Sequence, residues 1–207
     1  MKTTHYFILG SLLFLSTAAN AQDKKSSKTA SPGVANEQAK EQEAGQEKWM
    51  AYMTPGKMHD MMAKSNGAWH EDIVFWMDPK GPPTKAEAEC NNSMVMGGRY
   101  QESIHKGDMM GMPFEGKGLM GYDNIRKVFQ STWIDNMGTG VMYMEGPFNE
   151  GKNAIILSGT MVDPMSGKTE KARQVFTIVD EKTQKLEMFV TKNDKEFKSM
   201  EITMSRR

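Results

Sequence analysis

From Trp69 onward, apolar and polar positions alternate with a period of two. In "AWHEDIVFWM", Trp69, Glu71, Ile73, Phe75 and Met77 share one face, while His70, Asp72, Val74 and Trp76 share the other. A strand puts successive side chains on opposite faces, so this alternation predicts β-structure. The pattern recurs in "KAEAEC", "KVFQSTWI", "GVMYMEG", "NAIILSGTMV", "RQVFTIV", "KLEMFVT" and "FKSMEITM". Turn-rich clusters separate these segments: "KGDMMG", "GYDN", "DNMG", "NEGK", "DPMSGK", "DEKTQ" and "KNDK". The spacing predicts about ten strands joined by short connections, which only antiparallel neighbours permit. So long a meander rarely stays open, because free edges template aggregation and twist curls the sheet. The expected fold is therefore all-β, an antiparallel up-and-down barrel. A two-sheet sandwich fits less well, since it needs Greek-key crossovers where this chain has hairpins.

Before Trp69 the period is different. Met58, Met61 and Met62 fall at helical spacing in "TPGKMHDMMAKSNG", with Thr54 as the expected N-cap, Pro55 in the first turn and Asn66-Gly67 as the stop. A helix this short needs a surface to pack on, and its methionine face is expected to cover one mouth of the barrel. Residues 22–46 hold almost no large apolar side chain and read as a flexible tether. Residues 1–21 carry Lys2, an apolar run from Tyr6 to Leu15 and the small-residue end Ala19-Asn20-Ala21, which predicts a cleaved signal peptide. That run is too short to span a bilayer, and no later stretch resembles a membrane helix. The mature protein is expected to be exported, periplasmic or extracellular, with residues 47–207 forming one barrel domain.

Charge removes one class of partner. The chain carries 26 basic and 26 acidic residues, so no global field draws it to nucleic acid or anionic lipid. Cys90 is the single cysteine, which excludes an intrachain disulfide and a multi-thiolate cage. With Ala86 and Ala88 it alternates with Lys85, Glu87 and Glu89, and it reads as a small buried hydrophobe on a strand.

Residues 111–140 combine many glycines with Phe114, Tyr122, Phe129 and Trp133. The aromatic residues are expected on strands and the glycines at turns and bends. A barrel of about ten strands leaves an interior that side chains do not fill. The chain is also methionine-rich, with 21 methionines. Methionine fills leucine positions adaptably and suits a deformable lining for apolar ligands; clustered thioethers also favour Cu(I). Arg173 shares a strand face with Val175 and Thr177, and Arg99 sits among apolar positions; a buried arginine needs a carboxylate partner, for which Asp123 and Asp135 are candidates. Arg99, Tyr122, Trp133, Asp135 and Arg173 are therefore the candidate ligand-binding residues, with either arginine able to hold a ligand carboxylate. No zinc-protease or nucleophile-elbow spacing occurs, and no catalytic residue, metal ligand or cofactor is assigned.

The ordered series "TPG" at 54–56, "NGAWHEDI" at 66–73, "GGRY" at 97–100, "MPFEGKGLMGYD" at 112–123, "WIDNM" at 133–137, "DPMSGK" at 163–168 and the final "MSRR" resembles domain-of-unknown-function family 1579. The resemblance implies a calycin-like, lipocalin-related barrel and no established activity. Its recurring positions correspond to Gly98, Arg99, Gly121, Tyr122, Asp123, Trp133, Asp135 and Arg173. The functional expectation is an exported, non-enzymatic protein that binds a small, largely apolar molecule inside the barrel. The alternatives are a metal or haem carrier and a hydrolase or isomerase working through Asp123 or Asp135.

Overall fold

In a computed structural model, residues 32–207 are described; the expected signal peptide and the first part of the expected tether lie outside them. Helix α1 (Pro32–Met53) and helix α2 (Lys57–Ala63) precede eleven strands. These are β1 (Gly67–Phe75), β2 (Thr84–Val95), β3 (Tyr100–Met109), β4 (Met112–Asp123), β5 (Val128–Asp135), β6 (Met142–Gly146), β7 (Phe148–Asn149), β8 (Ala154–Val162), β9 (Thr169–Ile178), β10 (Thr183–Lys192) and β11 (Lys195–Arg206). The compact unit that carries the strands runs from Glu43 to Arg207. Residues 32–46 of the expected tether lie in α1. From Lys40 to Tyr52 the side chains of α1 are exposed, so the helix rests on the propensity of its Ala, Glu, Gln and Lys residues. Composition detects the missing core face, which a tether and an exposed helix share.

The strands form one closed antiparallel barrel of ten staves. Each pairs with the next in sequence, β11 pairs with β1 from Trp69↔Arg206 to Phe75↔Met200, and β6 pairs with β8 across the two-residue β7. The β6–β8 seam is short, Met144↔Gly159 and Glu145↔Ser158. Glycine allows the approach: a Cβ on Gly146 would lie 2.0 Å from the Ile156 carbonyl oxygen, and one on Gly159 would lie 2.4 Å from that of Tyr143. The β3–β4 hairpin turns on two residues, Met110 (φ 56°) and Gly111 (φ 80°), the twist that matches flanking strands.

The alternation read from the sequence holds along the barrel wall. Trp69, Glu71 and Ile73 of β1, and Ala88, Cys90 and Asn92 of β2, are buried inside, while their neighbours are more exposed. A core of Met62, Phe129, Met144, Ile155, Leu157, Ala172 and Met188 fills the interior beside α2. Met58 and Met61 pack on it, so the methionine face of the helix does turn inward.

Helix α2 starts later than its sequence suggests. Its N-cap is Gly56, whose N–H donates to Nδ1 of His59 at 3.0 Å. Thr54 instead sends its hydroxyl back to the Met50 carbonyl at 2.6 Å. The far end of α2 is fixed by the barrel itself. Its last carbonyls accept the N–H groups of the turn that follows, Ser65 N–H on Met62 O at 2.9 Å and Asn66 N–H on Ala63 O at 3.1 Å. Barrel side chains add further donors to Met62 O and to the carbonyls of that turn. Gln101 donates to Met62 O at 2.6 Å, Trp69 Nε1 to Ser65 O at 2.8 Å and Asn92 to the same oxygen at 3.1 Å. Arg206 donates to Asn66 O at 2.7 Å and stacks over the Trp69 ring, 4.3 Å from its centroid. Donors from β1, β2, β3 and β11 thus bolt α2 across one end of the barrel. It is a plug.

Candidate functional site

The end opposite α2 is formed by the ends of β1, β3, β5, β8 and β10 and the starts of β2, β4, β6, β9 and β11. Toward that mouth the inward-facing Phe75, Met109, Phe114, Trp133, Met142, Met161 and Met200 are half-buried while Ala172 and Val190 are buried; toward the plug Trp69, Phe129 and Leu157 are 0% exposed while Tyr122, Phe176 and Leu186 are half-buried. Met142, Met161 and Met200 also pack against the core that α2 covers. The half-buried side chains at that end are aromatic rings and thioethers.

A polar cluster stands on the inner wall between mouth and plug. Cys90 of β2 and His105 of β3 are directly paired across the sheet, and Glu71 of β1 lies one step diagonally from Cys90. His105 Nδ1 meets Glu71 Oε2 at 3.0 Å, and Cys90 Sγ lies 3.6 Å from His105 Nε2. The thiol also donates to Asn92 Oδ1 at 3.3 Å. Glu71 is 1% exposed, and its Oε1 has no hydrogen-bond partner among the described residues. Burial, followed by the charge of Glu71, raises the Cys90 thiol well above its ordinary range, so the sulfur stays protonated. The order Cys90, His105, Glu71 is that of nucleophile, base and orienting carboxylate, but here it presents a thiol and not a thiolate.

Trp133 forms the adjoining wall. Its ring meets His105 edge-on with centroids 4.9 Å apart, stacks with Phe114 at 6.5 Å and donates Nε1–H to Asp135 Oδ2 at 2.7 Å. Strand β4 makes room for it by carrying glycine at 116 and 118.

The five residues proposed from sequence are not brought together. Trp133 and Asp135 stand side by side at the lumen wall. Tyr122 lies toward the plug, edge-on to His59 at 6.0 Å and against Phe129 at 4.9 Å. Arg99 is exposed in the β2–β3 turn, where it donates to Met96 O. Arg173 is on the outer face of β9: Ala172 and Gln174 are its buried neighbours, Glu196 takes two of its hydrogen bonds, and it stacks 4.1 Å over Phe189. Asp123 caps its own turn, accepting from the N–H groups of Ile125 and Arg126. Glu71, Cys90 and His105 were not singled out as a group, because 19 and 15 residues separate successive members. One signal was present: Glu71 is a carboxylate on a face otherwise made of Trp69, Ile73 and Phe75, and such a group needs partners.

The family model described as "Protein of unknown function (DUF1579)" matches residues 54–206. The chain belongs to this family. The match begins at the turn before α2 and ends within the last residues of β11, so plug, barrel and Arg206 are all inside it. No curated protein matches the chain. Among the described residues no helix is long and apolar enough to cross a membrane.

Proposed function

We propose that this barrel is a non-enzymatic binding protein for a small, largely apolar molecule, taken up through the mouth opposite α2. The observation that carries the reading is that α2 closes one end through hydrogen bonds, while at the other the inward Phe114, Trp133, Met142 and Met161 are half-buried. Phe114, Trp133, Met142 and Met161 offer the guest apolar contact, and thioethers adapt to variable shapes. His105 and Asp135, beside Trp133, orient a guest that carries one polar group. Arg99 and Arg173 take no part, since one is in an exposed turn and the other is held on the outer face.

The protein acts outside the cytoplasm, in the periplasm or beyond the cell. The support is the basic start, apolar run and Ala19-Asn20-Ala21 ending of residues 1–21. Native mass spectrometry of protein recovered from its natural source tests both parts. A chain beginning at Gln22 with a bound small molecule is the expected result. An unprocessed chain rejects export, and an empty protein that binds none of a panel of apolar compounds rejects the carrier.

A further inference from the structure

We propose that Glu71, Cys90 and His105 form a binding site for a divalent cation of the zinc class on the inner wall of the barrel. The three residues supply a carboxylate oxygen, a sulfur and an imidazole nitrogen, all within 4.8 Å of one another. Bond lengths of about 2.0–2.1 Å to nitrogen and 2.3 Å to sulfur put tetrahedral N and S ligands about 3.6 Å apart. The distance from His105 Nε2 to Cys90 Sγ is 3.6 Å. That edge of a coordination tetrahedron is already in place; Glu71 now meets the other ring nitrogen, Nδ1, at 3.0 Å and takes the third position by leaving that contact and turning toward Nε2.

A second, independent observation points the same way. A buried carboxylate oxygen without a partner is rare and calls for a donor or a cation. Glu71 Oε1 is such an atom, on a side chain that faces the cluster. A dication there would also relieve the electrostatic cost of the site, since it replaces the thiol proton and offsets the carboxylate charge. The step is balanced: the S–H bond breaks, an S–metal bond forms, and one proton passes to solvent. The donor set selects the metal. Calcium and magnesium prefer oxygen ligands throughout, whereas imidazole with thiolate suits zinc and its neighbours.

Three protein ligands leave one tetrahedral position for water or a guest's donor atom. The wall holds the geometry: Trp133 packs edge-on against His105 and is itself tied to Asp135. The outer cluster of His70, Asp72 and Glu87 also gathers ligand types, but it is largely exposed and His70 is already paired with Glu89. The inner site does not rest on the apolar guest, because the metal alone is its probe.

Cobalt(II) titrated into the reduced, metal-free protein gives the test. One equivalent should produce a thiolate-to-cobalt charge-transfer band in the near ultraviolet and tetrahedral bands in the visible, all bleached by Zn²⁺. Because Cys90 is the sole cysteine, that band identifies its sulfur without any variant. Cys90→Ser should remove the band, and Glu71→Gln or His105→Gln should weaken cobalt binding at least tenfold. Absence of the charge-transfer band from the wild-type protein overturns the proposal, even if a variant fails to fold. So does equal cobalt affinity in a folded Cys90→Ser variant.

Discussion

A Cβ placed on Gly116 would lie 2.5 Å from Cζ2 of Trp133 and 2.7 Å from its Cη2. The indole lies across the empty glycine surface of β4, against His105. Both residues are on strands, and Gly116 does not have positive φ. Its lack of a side chain, and not its torsional freedom, is what the barrel uses.

Gly116→Ala should therefore force the indole off the wall and destabilise the protein by about 2 kcal/mol, the range for overpacking a filled site. Gly140→Ala, where nothing stands within 4 Å of the added carbon, is the control and should be near neutral. Denaturant melts measure both, and tryptophan emission should shift only in the first.

The closing seam makes a harsher demand. At Gly146 the obstacle is the backbone oxygen of Ile156, which cannot swing aside as a side chain does. Gly146→Ala is expected to part β6 from β8, at a cost above that of Gly116→Ala. Hydrogen exchange should quicken for amides in residues 142–146 and 154–159, with β1 to β3 protected as before.

The plug depends on side-chain donors reaching the end of α2. Gln101→Leu removes one of the two donors on the Met62 carbonyl, the Ser65 N–H remaining, and should cost about 1 kcal/mol. Arg206→Lys keeps the charge but loses the planar stack on Trp69 and the forked donation, and should cost about 1 kcal/mol. Thermal melts of the two variants, with exchange rates in residues 57–66, check this.

Acidity should loosen the same element. Burial, its largest influence, lowers the pKa of His59, while the adjacent Asp60 opposes that shift. In the neutral form Nδ1 accepts the Gly56 N–H. A histidine whose folded pKa is depressed contributes stability above its unfolded value of about 6.5, and the contribution is lost as pH falls through the folded value. The wild-type protein should thus lose stability relative to His59→Gln between pH 7.5 and 5.5. Denaturant midpoints for both proteins across that interval measure the difference.

Much of the barrel was legible because period-two alternation is a local signal. Spacing alone put Trp69 and Ile73 on one strand face and Ala88 with a buried Cys90 on another, and the turn clusters marked the hairpins; the structure turns both faces inward. Arg173 shows where such a signal fails. Strand β9 carries apolar residues on both faces, with Ala172 and Phe176 on one and Val175 on the other, and polar Gln174 is on the buried side. Alternation then cannot choose the face. Thr54 looked like a helix cap because capping chemistry is local, yet its hydroxyl turns back to α1. The Glu71, Cys90 and His105 cluster was illegible for another reason: strand register creates it, and no spacing within one segment encodes register across three strands. The glycines of β4 were read as hinges, since their use as floor beneath Trp133 depends on a ring from the next strand.

The central claim, an open lumen that accepts an apolar guest beside Trp133, is tested most directly by titration with N-phenyl-1-naphthylamine, a neutral apolar fluorophore. The comparison needs Met161→Trp, which fills the mouth, and Leu119→Trp, which adds the same ring to the outer face. The account predicts saturable one-to-one binding to the wild-type and Leu119→Trp proteins, weakened at least tenfold in a folded Met161→Trp protein. No saturable binding to the wild type, or equal binding by the protein with the filled mouth, would contradict it.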